Sequence, residues 1–153
     1  MKHVEIFGFA GSTYVRTARM VCEEKRVDYH LQPLEFGQES HRALHPFLRM
    51  PVVRIGKTTL YETLAITIYI DDAFDGPRLT PKDPMGRAQM LQWISTCNDY
   101  LYKDLVKAAL KSDGPSEDDL SAARRALRGS GLWRAARIAV GERTLRACRW
   151  RVY

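Results

Sequence analysis

The sequence has no apolar run that approaches the roughly 18 residues a membrane-spanning helix needs. Its first residues, MKHVEIFGFAG, form too short an apolar stretch, and are charged too early, for a signal peptide. The three cysteines, Cys22, Cys97 and Cys148, are scattered along the chain. This spacing favours neither a disulfide framework nor a zinc site. We therefore expect a cytoplasmic protein with reduced thiols.

Acidic residues and lysine are almost missing from the last part of the chain. Residues 122–153 contain nine arginines, no lysine and a single acid, Glu142, whereas residues 1–121 hold 15 Lys and Arg against 17 Asp and Glu. The net charge of +6 thus belongs to the C-terminal stretch, and not to a folded basic face of the kind that nucleic-acid-binding modules present. Two interpretations of the stretch stand: a coding region read out of frame, or a genuine basic arm for an acidic partner or RNA.

The 153 residues are enough for one domain, or for one domain and a fragment of a second. Alternating apolar residues predict a strand at 4–7, and a glycine-rich turn leads from it into a helix that begins at about Ser12. A second strand is predicted at 27–31, followed by a loop with a short helix over residues 33–50.

The middle of the chain carries a strong hairpin signal. Two short β-forming runs, 52–55 and 58–61, flank a Gly56-Lys57 turn, and an apolar helix follows at 62–70. The order βαβ–ββα predicts one mixed sheet with helices on its faces.

The remainder of the sequence reads as helical. Residues 75–84 are typical of a linker, the pattern from 85 to 110 predicts one long helix, and Ser116 to Asp119 resembles a capping box before another helix.

Three segments carry a family resemblance: GSTYVRTARMVCEEK, HPFLRMPVV and YETLAITIYID. Through them, residues 4–74 resemble the N-terminal domain of cytosolic glutathione transferases, and residues 84–128 resemble the opening helices of their all-helical second domain. The resemblance implies an α/β thioredoxin-like domain followed by a partial all-α domain. The corresponding division is 1–75 for the glutathione-binding domain, 76–84 for the linker, 85–128 for the partial helical domain and 129–153 for an atypical Arg-rich tail.

Glutathione is a peptide with two carboxylates, an ammonium group and a thiol, so its site needs a backbone edge and anion-binding groups. The resemblance implies that the Met50–Pro51 bond is cis and exposes the N–H and C=O of Met50 for strand-like pairing with the cysteinyl part. It assigns Arg49 to the glycyl carboxylate, with His41 as a weaker candidate for the same task.

The start of the third predicted helix supplies the other end of such a site. Backbone N–H groups and the hydroxyl of Thr63 would hold the γ-glutamyl carboxylate, and Glu62 would meet the ammonium group. The family more often has serine at the position of Thr63, which keeps the hydroxyl. The alternative is structural, with Glu62 as a first-turn acid and Thr63 as a cap.

The thiol must be deprotonated to act as a nucleophile. A hydroxyl at a helix N-terminus would stabilise the thiolate. The resemblance aligns Ser12 with the catalytic serine of the serine-type classes. Thr13 and Tyr14 remain alternatives, and Ser12 can equally be an ordinary N-cap.

The resemblance implies a glutathione transferase that conjugates the glutathione thiol to hydrophobic electrophiles. Glutathione is then the co-substrate, with no metal and no other cofactor, and the protein forms a homodimer without membrane contact. The alternatives are a non-catalytic transferase-like binding module and, with less support, nucleic-acid binding through the arginines of the tail.

Overall fold

A computed structural model describes residues 3–107 and 114–129. The chain divides into two compact units, Met1–Arg87 and Ala88–Tyr153. Beyond Gly129 the predicted Arg-rich tail lies outside the described residues, as does Cys148.

The first unit is built on a four-stranded mixed sheet in the order β2-β1-β3-β4. β1 pairs with β2 in parallel and with β3 antiparallel, and β3 and β4 form the antiparallel hairpin. The strands are β1 Val4–Phe7, β2 Tyr29–Gln32, β3 Val52–Ile55 and β4 Thr58–Tyr61, and the helices are α1 Thr13–Lys25, α2 Glu39–Leu44 and α3 Thr63–Ala73. This arrangement confirms the predicted thioredoxin-like α/β fold.

The hydrophobic core lies on one face of the sheet, between the inner strands and the helices α1 and α3. Alternate residues of β1 and β3 point into it because successive side chains of a strand face opposite sides. Its buried members are Val4, Ile6, Val53 and Ile55 from the sheet, Val15, Ala18 and Cys22 from α1, and Ile66 and Ile70 from α3. A one-residue slip of either strand would expose this set, so the core fixes the register of the sheet.

The second strand begins two residues later than predicted. Arg26 ends α1 in the left-handed conformation, with φ of 58°, and the Val27 N–H donates to the Cys22 carbonyl at 2.8 Å. Val27 is therefore part of the closure of α1, and pairing with β1 starts at Tyr29.

The remaining helices are α4 Pro84–Thr96, a π-helix at Cys97–Lys107 and α5 Glu117–Gly129. The long helix predicted over residues 85–110 is present as α4 and its π-helical continuation to Lys107, in which the helical hydrogen-bond pattern widens at Cys97; residues 108–110 lie outside the described residues. The capping box is confirmed: the Ser116 N–H donates to the Asp119 carboxylate at 2.8 Å, and the Asp119 N–H donates to the Ser116 hydroxyl at 3.2 Å. No helix in the described part of the chain is long and apolar enough to span a bilayer.

Candidate functional site

Three chain segments meet at the edge of the sheet that is formed by the strand ends at Phe7, Val52 and Tyr61. β1 ends at Phe7, which lies opposite Val52 at the start of β3, and Val52 in turn lies opposite Tyr61 at the end of β4. The turn after β1, the entry to β3 and the exit from β4 are therefore neighbours. Ser12, Arg49 to Pro51, Glu62 and Thr63 fall on these three segments, whereas the weaker candidate His41 lies on α2.

Ser12 lies in the turn between β1 and α1 and is the N-cap residue of α1. Its N–H donates to the Phe9 carbonyl at 3.0 Å, and its carbonyl accepts the Arg16 N–H at 2.9 Å. Within the described structure the Ser12 hydroxyl makes no capping hydrogen bond. Its backbone thus fulfils the N-cap role while the hydroxyl is left for another partner, at the helix end where the dipole favours negative charge.

The two alternatives to Ser12 lie beside it. Thr13 is exposed and begins the helix, and Tyr14 is partly buried. The catalytic role of Ser12, with Thr13 and Tyr14 as the alternatives, stays a prediction.

The β1–α1 turn touches the entry to β3 directly. The Phe9 N–H points at the Met50 sulfur at 3.4 Å, and a Cβ placed on Gly8 would lie 3.5 Å from the Met50 Cβ. That same Cβ would come within 2.5 Å of Val15, so only glycine allows this close packing. The Met50–Pro51 peptide bond is cis, as expected, and Pro51 is buried.

His41 supports the segment that carries Arg49 and Met50. Its ring is fully buried; Nδ1 lies 3.2 Å from the Gly37 nitrogen and Nε2 lies 3.0 Å from the Arg49 carbonyl oxygen. Both ring nitrogens are thus engaged by the chain itself. The alternative prediction, His41 as a ligand of the glycyl carboxylate, was wrong for this reason. The Arg49 side chain, by contrast, is exposed.

Glu62 is the N-cap residue of α3 and has a positive φ of 68°. Its carbonyl accepts the Ile66 N–H at 3.0 Å, and its side chain is exposed. A non-glycine residue held at positive φ costs on the order of 1–3 kcal/mol and tends to occur at binding sites. Thr63 follows as the first residue of the helix and is partly buried.

His45 is buried next to Tyr61, the last residue of β4, and was missed by the sequence analysis. Its Nδ1 accepts the Phe47 N–H at 3.1 Å, and its ring lies 4.7 Å from the ring of Tyr61. Burial lowers the pKa of His45, the Glu62 carboxylate opposes this, and the positive charge of Arg49 adds to the lowering. The positive charge of Arg49 and the negative charge of Glu62 thus have opposite effects on the pKa of His45.

Cys22 contributes no thiol chemistry to this edge. It is buried in the core, seven residues C-terminal to Val15 on α1, and burial, together with the charge of Glu23, raises its pKa to about 11. A thiol with such a pKa is protonated at neutral pH and is a poor nucleophile. Among the described residues, no three His, Cys, Asp or Glu side chains form a group that could hold a metal ion.

The edge combines features that suit a small zwitterionic peptide. An exposed guanidinium, Arg49, directly precedes Met50, an exposed carboxylate, Glu62, directly follows β4, and two helices begin at Thr13 and Thr63. Helix N-termini offer backbone N–H groups to anions such as carboxylates or a thiolate.

Comparison with known proteins shows which family the chain resembles. Residues 6–78 match the family model of the glutathione S-transferase N-terminal domain. Glutathione S-transferase 4 of Zea mays is 36% identical over 72 residues, which are 44% of this chain and 32% of the maize protein. Maleylacetoacetate isomerase of Mus musculus is 29% identical over 90 residues, 54% of this chain and 42% of the mouse protein. The chain thus spans less than half the length of these two curated relatives.

Among solved structures, the chain is similar to the theta class glutathione S-transferase of Xanthomonas axonopodis pv. citri, determined with glutathione bound. The TM-score is 0.71 at 27% identity, covering 93% of this chain and 72% of the bacterial one. Fold, sequence match and structural similarity agree on one assignment. Residues 6–78 match the N-terminal domain of the glutathione S-transferase family, and the chain is similar in fold to members of that family.

Proposed function

We propose that this chain binds glutathione at the sheet edge described above and conjugates its thiol to hydrophobic electrophiles. The observation that supports this best is the convergence of Ser12, the Arg49–Pro51 segment and the Glu62–Thr63 pair at one edge. These residues lie far apart in sequence, and the register of β1, β3 and β4 brings them together.

In the proposed complex the tripeptide lies along the entry to β3. Its cysteinyl backbone pairs with the N–H and C=O of Met50, as an added strand would. The Arg49 guanidinium binds the glycyl carboxylate at one end. At the other end Glu62 binds the ammonium group, and the Thr63 hydroxyl and the first N–H groups of α3 bind the γ-glutamyl carboxylate.

Ser12 would act on the sulfur. A hydroxyl that donates a hydrogen bond to the thiolate stabilises the charged form and lowers the thiol pKa. The thiolate then forms a bond to the electrophilic carbon, and the leaving group departs with the electron pair of the broken bond. The engaged backbone of Ser12 keeps the side chain in place for this task.

A second candidate function is a binding module that holds glutathione without turnover. It is favoured by one observation: the family model matches residues 6–78, and every proposed glutathione contact lies within them. In this case the site of residues 9–63 would hold the peptide without transferring its thiol to an electrophile. A homodimer in the cytoplasm and the domain boundaries predicted from the sequence are part of the proposal under either candidate.

The test begins with retention on immobilised glutathione and elution with free glutathione. The eluted protein is then assayed with 1-chloro-2,4-dinitrobenzene, from which the thiolate displaces chloride. Retention with turnover supports the transferase, and retention without turnover supports the binding module. A folded protein that is not retained would contradict both.

Matched variants locate the site. Arg49→Gln and Glu62→Gln should each weaken glutathione binding by about tenfold, since each removes one charge-assisted contact. The control is Arg42→Gln, which changes an exposed arginine on α2 that pairs with Glu39 at 4.0 Å. Equal loss in the control and in Arg49→Gln would contradict the assignment of Arg49.

A further inference from the structure

We propose that His41 is a positioning residue for glutathione binding, and that it fixes the Arg49–Met50 segment through the Arg49 carbonyl. The inference rests on the proposed function, because it concerns the segment to which the glycyl and cysteinyl parts of glutathione are assigned. His41 itself does not touch the ligand, since its ring is fully buried and both nitrogens face the chain.

The two hydrogen bonds of His41 assign a role to each of its ring nitrogens. A backbone N–H can only donate, so Nδ1 accepts from Gly37 at 3.2 Å and carries no proton. A carbonyl can only accept, so Nε2 carries the proton and donates to Arg49 at 3.0 Å. The neutral Nε2–H form satisfies both partners at once, and neither the other neutral form nor the cation does.

The segment that His41 holds needs such support. Between α2 and β3 the chain turns sharply: the Leu48 N–H donates to the His45 carbonyl at 3.1 Å, and Leu48 has a positive φ of 51°. A non-glycine residue in this conformation costs about 1–2 kcal/mol, so the turn is retained only when its neighbours hold it. The bond from Nε2 acts on Arg49, the next residue after Leu48.

His41 is well suited to this role because it spans two parts of the chain. It joins Gly37, before α2, to Arg49, after it, and its ring lies 5.2 Å from Phe36 and 6.5 Å from His45. Loss of the Nε2–H donor would let the Arg49 carbonyl turn away. The Met50 N–H and C=O would then leave the orientation that pairing with a peptide requires.

Three variants separate positioning from general stability. His41→Leu removes both hydrogen bonds, while His41→Gln keeps an N–H close to the position of Nε2. Cys22→Ala is the control, because it opens a cavity in the core beside α1 and leaves the Arg49–Met50 segment unchanged. For each, the thermal midpoint, the KM for glutathione and kcat at saturating glutathione are measured.

We expect His41→Leu to raise the KM for glutathione about tenfold, the effect of one lost hydrogen bond, with kcat within about twofold. His41→Gln should recover most of the affinity, and Cys22→Ala should lower the thermal midpoint without changing the KM. Equal KM values for the Leu and Gln variants, or a tenfold rise in Cys22→Ala, would overturn the proposal.

A readout without glutathione keeps this inference separate from the proposed function. Trypsin cleaves after exposed arginines, and Arg49 and Arg26 are both exposed. Cleavage after Arg49, measured by mass spectrometry relative to cleavage after Arg26, should accelerate at least about fivefold in His41→Leu and little in His41→Gln. Unchanged relative cleavage would overturn the positioning role, whereas accelerated cleavage in a protein that does not bind glutathione would refute the proposed function and still support the hold of His41 on the Arg49–Met50 segment.

Discussion

The ammonium group of Lys25 and the carboxylate of Asp71 lie 3.2 Å apart, and the exposed fractions of the two side chains are 3% and 1%. Lys25 also donates to the Asp71 backbone carbonyl at 2.8 Å, which joins the end of α1 to the end of α3. The Asp71 carboxylate accepts three further hydrogen bonds, from the N–H groups of Leu79 and Thr80 and from the Thr80 hydroxyl. This pair therefore ties both helices and the following segment together.

Replacing Lys25 by methionine should lower the free energy of unfolding by about 3 kcal/mol, because a buried carboxylate loses its counter-charge. Urea denaturation measures the change. Lys57→Met, in the exposed turn of the hairpin, is the control and should change stability by less than about 0.5 kcal/mol. Similar losses in the two variants would show that the buried pair contributes nothing specific.

Stability should also depend on pH through Asp71. Burial alone would raise its pKa, but the hydrogen bonds from Thr80, Leu79 and Lys25 outweigh burial and lower the pKa to about 2. The unfolded carboxyl titrates near pH 4, so the native state favours the charged form by about 2 kcal/mol. This stabilisation is complete above about pH 4 and is lost as the pH falls towards 2.

The measurement for Asp71 is the free energy of unfolding of the wild type and of Asp71→Asn from pH 6 to pH 2. The difference between the two should shrink by about 2 kcal/mol over the range from pH 4 to pH 2, since asparagine does not titrate. A difference that is constant across this range would contradict the assigned pKa.

Gly76 should not tolerate a side chain. Its φ is +121°, and an added Cβ would lie 2.6 Å from the Lys25 carbonyl oxygen. Gly76→Ala should lower the free energy of unfolding by about 2–3 kcal/mol, because it combines strain with a backbone clash. Gly56→Ala is the control, with φ of +60° and open space around the added carbon, and should cost about 1 kcal/mol. The reverse order of the two values would refute the close approach of Gly76 to α1.

Ser12→Ala should reduce kcat for conjugation by on the order of 100-fold, the usual effect of removing one donor from a developing charge. The thermal midpoint should change little, because the hydroxyl makes no capping bond within the described structure. Retention on immobilised glutathione should also persist.

Thr13→Val and Tyr14→Phe are the matched variants for Ser12. Each removes one of the neighbouring hydroxyls, and each should leave kcat within about threefold of the wild type. A 100-fold loss in either of them, with Ser12→Ala fully active, would transfer the role to that residue.

The sequence predicted the hairpin to the residue. Residues 52–55 and 58–61 form β3 and β4 as expected, because two β-forming runs around a two-residue turn are a strong local signal. The N-cap position of Ser12 and the capping box at Ser116 are local in the same sense. Features of this kind depend on neighbours in the chain and need no knowledge of tertiary contacts.

Features that depend on distant partners were not predictable. Lys25 belongs to a charged run that reads as an exposed helix end, and only its pairing with Asp71, 46 residues away, explains its burial. His41 reads as a surface residue of a short helix for the same reason. The positive φ of Glu62 has no signal in the residue type, because glutamate rarely adopts it. The predicted residues of the glutathione site came from family resemblance, and their roles there stay predictions.

The strand order has a consequence for how the domain would open. β1 and β3 are the inner strands and are paired on both sides, whereas β2 and β4 each pair with one neighbour in the described sheet. Amide hydrogens of doubly paired strands exchange with solvent last, since their release requires global unfolding. Ser12 and Met50 adjoin the inner strands, while Glu62 adjoins the outer strand β4. In mild denaturant the part of the site at Glu62 would therefore open first, and the part at Ser12 and Met50 would persist until the whole domain unfolds.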